Sequence, residues 1–161
     1  IPPNVIAFVL KHYKDAQTLA TQLGNGVTAA EVLAIAGDET GWGDSGSKAK
    51  YGNFFGLHGK GPAGTYYTKD NHTPTPIFPI TANDDGFKAS GQEFVKLVKQ
   101  KAGLTPGIGD NPKAFFTALN KNHLYADGNR NYAEEMVRTQ PRGKYEVVRQ
   151  CIDQLRQEGK L

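Results

Sequence analysis

The sequence predicts an α+β fold, mainly helical, in which helices flank a small polar β-lobe. Three observations carry this reading. Apolar residues recur at three- and four-residue steps toward both ends of the chain, the mark of helices with one buried face. Between them, residues 44–86 are rich in Gly, Pro, Thr and Asn and contain no Glu. The 38% apolar and 22% charged content over 161 residues suits one globular domain with a moderate core rather than a disordered chain.

Each element follows from local signals. In residues 4–23, Val5, Val9, His12, Ala16, Leu19 and Leu23 form one stripe, and Gly24-Asn25-Gly26 stops the helix. Thr28 with Glu31 is a capping box that opens a second helix, and Val27 with Val32 can staple its entry. Val32, Ile35 and Ala36 continue its apolar face, Glu39 falls on the same spacing, and Gly41 and Gly43 end it. "TYYT" (65–68) and "TPIFPIT" (75–81) read as short strands around an Asp70-Asn71 turn, with prolines that permit edge or irregular pairing. A helix then runs from Phe87 to about Lys101, and Asn111-Pro112 caps a short helix bearing Phe115, Phe116 and Leu119. Asn131 caps another through Met136, and Tyr145, Val148, Ile152 and Leu155 pattern the last. The expected organisation is one domain over 1–161, with a β-lobe at about 58–86 and a cleft between lobes.

Several function classes recede. The net charge of +3 is a mild basic excess, and the basic residues of 138–160 alternate with acids as on a solvated helix face, so no nucleic-acid partner is expected. No apolar run approaches the roughly 20 residues of a membrane span. Cys151 is the lone cysteine, and His12, His58, His72 and His123 lack zinc-ligand spacing. "GWGDSGSK" and "GIGDNP" each fall short of a phosphate-binding loop. No metal and no cofactor is therefore expected. The chain begins at Ile1 without a targeting segment and reads as a mature or excised piece of a longer protein.

Glu39 is the residue that asks for chemistry. A carboxyl continuing an apolar stripe is partly desolvated, which raises its pKa and suits a general acid that protonates a leaving oxygen. The plain alternative, a solvated last-turn residue, has about even weight from periodicity alone. Trp42 stands beside it, able to stack on a sugar or to cover the acid, although a single Trp more often anchors a core. In "YGNFFGLHG" (51–59), Asn53 can bind backbone or substrate amides, while Phe54, Phe55 and Leu57 are more often core, and Gly56 and Gly59 permit close backbone approach.

"ETGWGDS" followed closely by "GNFFGLHG" resembles the glucosaminidase family of bacterial peptidoglycan hydrolases, glycoside hydrolase family 73, within the lysozyme-like superfamily. Glu39, Gly41, Trp42, Gly43, Ser45, Asn53, Phe55, Gly56 and Leu57 fit its two motifs; Thr40 and His58 depart from them. "FKASGQEFVKLV" (87–98) and "LYADGNRNYAEEM" (124–136) are similar to later family motifs, the first without an inner Tyr and the second with a short insertion before Tyr132. The resemblance implies a lysozyme-like helical lobe and β-lobe flanking a glycan cleft, and cleavage of β-1,4 glycosidic bonds in peptidoglycan with Glu39 as general acid. It implies Tyr125 at the cleft near the acid as a candidate catalytic residue, and Trp42, Asn53, Phe55 and Tyr132 as substrate contacts. Many members carry a second carboxylate in the β-lobe, usually Glu. Residues 40–92 hold none, and Asp70 is the nearest substitute, with Asp84 and Asp85 behind it. A muramidase or lytic transglycosylase on the same scaffold is the close alternative, and a catalytically silent glycan-binding module the more distant one. Peptidoglycan strands are the expected partner, an inhibitor or immunity protein is left open, and a monomer acting in the periplasm or cell wall is expected.

Overall fold

The computed structural model describes residues 1–161. Helices α1 (Pro3–Leu23) and α2 (Ala29–Thr40) precede a 3-10 turn (Lys48–Tyr51) and strands β1 (Thr65–Tyr67) and β2 (Pro74–Pro76). Helix α3 (Phe87–Lys101), a second 3-10 turn (Ile108–Asp110), α4 (Pro112–Lys121), α5 (Tyr132–Val137) and α6 (Lys144–Gln157) complete the chain. It is the mainly helical α+β arrangement expected, with a β-lobe reduced to one two-stranded antiparallel sheet. No helix is long and apolar enough to cross a membrane. The chain forms two compact units, Ile1–Ile35 with Val95–Leu161, and Ala36–Phe94.

In the first unit, α6 packs on α1, and α5 packs on both α4 and α6. The stripe expected on α1 is the buried face observed, with Val5, Val9, Ala16, Leu19 and Leu23 inside and His12 buried against the Phe8 ring at 4.9 Å. Pro3 opens α1 where a missing N–H is harmless. Asn111 caps α4 by accepting from the Ala114 N–H at 3.1 Å, as its position before Pro112 predicts. Asn131 precedes α5 without a side-chain cap bond.

The second unit has its own core of Phe54, Phe55, Leu57, Phe78, Phe87 and Phe94. Phe55 stacks on Phe94 at 4.5 Å and leans on Phe87 at 5.3 Å. In the hairpin, Thr65, Tyr66 and Tyr67 pair with Pro76, Thr75 and Pro74. The second strand stops at Pro76, short of the 75–81 expected, with prolines 74 and 76 inside it, opposite Tyr67 and Thr65. Ile77 instead pairs irregularly, donating to the Gly64 carbonyl and accepting from the Ala63 N–H, both at 3.0 Å.

The capping box at the start of α2 forms, with an electrostatic consequence. Glu31 Oε1 accepts from the Thr28 N–H at 2.9 Å and the Thr28 hydroxyl at 3.0 Å, while its Oε2 is buried without a partner. Burial pushes the Glu31 carboxyl from 4.5 up to about 7; the Thr28 bonds oppose this and the Asp110 charge adds to it. Because the folded-state pKa lies above the unfolded one, this group's contribution to stability is full below pH 4.5 and is lost as pH rises through about 7. A rise from 4.5 to about 7 corresponds to on the order of 3 kcal/mol, at about 1.4 kcal/mol per pKa unit. Glu31→Gln keeps an acceptor for Thr28 and removes the ionisation. Equilibrium unfolding at pH 5 and pH 8 should show the parent losing stability relative to the variant at the higher pH. Parallel pH profiles would contradict this reading of the buried cap.

Candidate active site at the end of helix α2

The last turn of α2 is closed by backbone bonds from the residues after it and by the Thr40 hydroxyl. After Thr40 come three left-handed residues, Gly41 (φ 55°), Trp42 (φ 64°) and Gly43 (φ 78°). The Trp42 N–H donates to the Gly37 carbonyl at 3.1 Å, the long closing bond of a Schellman-type end, and the Asp44 N–H donates to the Thr40 carbonyl at 2.9 Å. The buried Thr40 hydroxyl accepts from the Gly43 N–H at 2.9 Å and donates to the Ala36 carbonyl at 2.6 Å. A threonine thus finishes the helix at the position that departs from the family motif. The reversal folds the Trp42 indole back onto α2: a Cβ at Gly37 would stand 2.3 Å from the ring.

Glu39 projects from this turn, half-buried, against the backbone at Gly56. A Cβ at Gly56 would lie 2.1 Å from Glu39 Oε2, so the carboxyl occupies the space that any side chain at 56 would need. Gly56 is also left-handed, at φ 62°. The loop that presents it is clamped by Asn53, whose Oδ1 accepts from the Leu57 N–H and whose Nδ2 donates to the Leu57 carbonyl, each at 3.0 Å. Lys48 stands first in the 3-10 turn, which Ser47 caps by accepting from the Ala49 N–H. Its Nζ reaches Glu39 Oε2 at 3.2 Å, with 35% of the Lys48 side chain and 21% of the Glu39 side chain exposed.

Burial raises the Glu39 pKa above the ordinary carboxylate value, and the Asp38 charge adds to the rise; Lys48 and, more weakly, His58 oppose it. The peptide dipoles at a helix C-terminus also disfavour a carboxylate there. The net effect is a carboxyl that holds its proton to higher pH than a surface glutamate does.

The other residues singled out in the sequence fall into three groups. Trp42 borders the helix end, half-buried. Asn53 and Phe55 are both 0% exposed, which corrects their reading as substrate contacts: Asn53 is occupied by Leu57, and Phe55 belongs to the aromatic core. Both support the loop that carries Gly56. Tyr125 and Tyr132, at 5% and 4% exposure, are buried in the first unit, their rings stacked at 6.4 Å. Tyr132 also meets Phe116 edge-on, so both tyrosines are core as they stand rather than open contacts. Asp70 is exposed at the hairpin turn, and the charges that act on Glu39 are those of Lys48, Asp38 and His58. Lys48 escaped the sequence reading because nine residues separate it from Glu39, a spacing that neither helix nor strand brings together. No three His, Cys, Asp or Glu side chains converge where they could hold a metal ion.

The Glu39–Gly56 contact is open to a double-mutant cycle. Gly56→Ala should cost about 1–2 kcal/mol from its left-handed backbone, plus the displacement of the carboxyl. In a Glu39→Ala background only the backbone part should remain. Equal costs in the two backgrounds, measured by chemical unfolding, would show that the carboxyl does not rest on Gly56.

No protein-family model and no curated protein matches the sequence. Solved structures do match in fold. A peptidoglycan hydrolase from Sphingomonas sp. A1 superposes with a TM-score of 0.69 at 23% identity, over 91% of this chain and 92% of that one. A type VI secretion system effector–immunity complex from Pseudomonas protegens gives a TM-score of 0.68 at 19% identity, over 94% and 93%. An N-acetylmuramoyl-L-alanine amidase from Staphylococcus aureus gives 0.60 at 19%, with 93% of this chain spanning 42% of that one. The chain therefore shares a fold with these proteins, the Sphingomonas peptidoglycan hydrolase among them.

Proposed function

We propose that the chain is a glycoside hydrolase of the bacterial cell wall, of the glucosaminidase type, cutting β-1,4 bonds of the peptidoglycan glycan with Glu39 as general acid. The observation that carries this is the half-buried Glu39 carboxyl at the end of α2, held against Gly56 and disposed by burial to keep its proton. The motif pair around Glu39 and Asn53 and the fold shared with peptidoglycan hydrolases support the same reading.

In this mechanism the protonated Glu39 gives its proton to the glycosidic oxygen as the bond from that oxygen to the anomeric carbon breaks. The bonding electrons leave with the oxygen, and water completes hydrolysis at the anomeric carbon. Asp70 is the candidate second carboxylate, in an exposed turn and on a shorter stem than glutamate. We assign it the smaller role. The substrate places the action in the periplasm or cell wall. One matched fold is an effector–immunity complex, which makes an inhibitory protein a partner class to test.

Digestion of purified peptidoglycan followed by mass spectrometry of the fragments tests this reading. Reducing-end N-acetylglucosamine is the expected product. Reducing-end N-acetylmuramic acid would indicate a muramidase, 1,6-anhydro ends a lytic transglycosylase, and released stem peptides an amidase. Glu39→Gln should lower turnover by at least about 10²–10⁴-fold, the range general-acid catalysis supplies. It should leave folding and wall binding in place, whereas Asp70→Asn should stay within a fewfold of the parent. Full digestion by a folded Glu39→Gln protein would overturn the mechanism.

A further inference from the structure

Three titratable groups act on Glu39: Asp38 from its own helix, Lys48 from the 3-10 turn, and His58 from the loop that carries Gly56. Lys48 alone among them has an ion pair with the carboxyl, at 3.2 Å. It contacts Oε2, the same oxygen that lies closest to Gly56. One carboxyl oxygen therefore lies between a backbone with no room for a side chain and an ammonium on a flexible stem. These neighbours act in opposite senses. Enclosure favours the protonated acid, and the ammonium favours the carboxylate.

The Lys48 stem is anchored where it matters. Ser47 caps the 3-10 turn, the Gly52 N–H donates to the Ala49 carbonyl at 2.9 Å, and the Asn53 N–H donates to the Lys48 carbonyl at 3.2 Å. The Lys48 backbone is thus tied to the Asn53-clamped loop beneath Glu39, while its side chain remains over a third exposed. A group arriving at Glu39 can displace the ammonium without disturbing the fold.

We propose that Lys48 is a positioning residue that sets the pH at which Glu39 gives up its proton. Its ammonium makes Glu39 release the proton at a lower pH than enclosure alone would, and displacing the ammonium lets the acid keep the proton to higher pH. This rests on the reading of Glu39 as the general acid. The proton accounting is simple: the protonated Glu39 delivers one proton to the leaving oxygen and is reprotonated from solvent, while the displaced Lys48 ammonium keeps its own protons in water.

The test pairs a direct titration with a rate profile. In Lys48→Met the Glu39 carboxyl, followed by carbon-13 NMR and assigned by its absence in Glu39→Gln, should titrate about one pH unit higher than in the parent. Lys48→Arg should stay near the parent value. The alkaline limb of kcat/KM on peptidoglycan should move with it. Above both pKa values, Lys48→Met should then retain up to about tenfold more of its plateau activity than the parent does, one unit being tenfold in the ionisation constant. A Glu39 titration that is unchanged in folded Lys48→Met overturns the proposal whatever the activity. A titration that moves while the alkaline limb stays confirms Lys48's hold on the carboxyl and overturns Glu39 as the acid instead. A shared melting temperature among the variants shows that all are folded, and Lys48→Gln serves as a second neutral variant.

Discussion

The contact between the Glu39 carboxyl and the backbone at Gly56 is the constraint around which the second unit is arranged. A carboxyl oxygen fits there because residue 56 has no side chain and a left-handed backbone. That backbone is held by Asn53, whose two amide atoms are both taken by Leu57. Asn53 in turn sits among Phe54, Phe55 and Leu57, all buried. Ser90 fixes the same segment from α3, its hydroxyl donating to the Gly86 carbonyl and accepting from the Phe54 N–H. The order of causation runs from aromatic core to clamped loop, from loop to glycine, and from glycine to acid.

The helix end supplies the other half. Ending α2 at Thr40 leaves Glu39 in a final turn where burial and the peptide dipoles of the helix C-terminus both disfavour its charge. Thr40 spends its hydroxyl on the turn itself, bonding Ala36 and Gly43. The left-handed run through Gly41, Trp42 and Gly43 turns the chain away at once, so that the carboxyl is left at an edge. The position here combines burial on one side with access for a single ammonium on the other.

Much of this was legible in the sequence, and the parts that were not share a cause. The α1 stripe, the Thr28–Glu31 box, the Asn111-Pro112 cap and the glycines after Thr40 are local signals, complete within one or two turns of chain, and the elements they specify form. Glu39 stood out because its spacing conflicted with its charge. Asn53 and Phe55 were legible as important residues but not as buried ones, since a motif records that a residue type is needed and not which way it faces. Tyr125 and Tyr132 carry the same ambiguity, being equally suited to a packed cluster and to an open surface. Lys48 was invisible, because its pairing with Glu39 depends on a 3-10 turn and a chain reversal that no periodicity encodes. The stop of β2 at Pro76 was not legible, because it depends on the Ala63–Gly64 backbone that Ile77 meets from across the hairpin.

The central claim is that the Glu39 side chain meets the glycosidic oxygen of a bound glycan. A crystal structure of the Glu39→Gln protein with a peptidoglycan oligosaccharide tests it most directly. The account predicts the side-chain amide at position 39 within about 2.6–3.2 Å of a glycosidic oxygen, the reach of a proton-transferring group. It also predicts that the Lys48 ammonium will have turned away from that side chain. A glycan bound productively with its inter-sugar oxygens beyond reach of position 39 would contradict it.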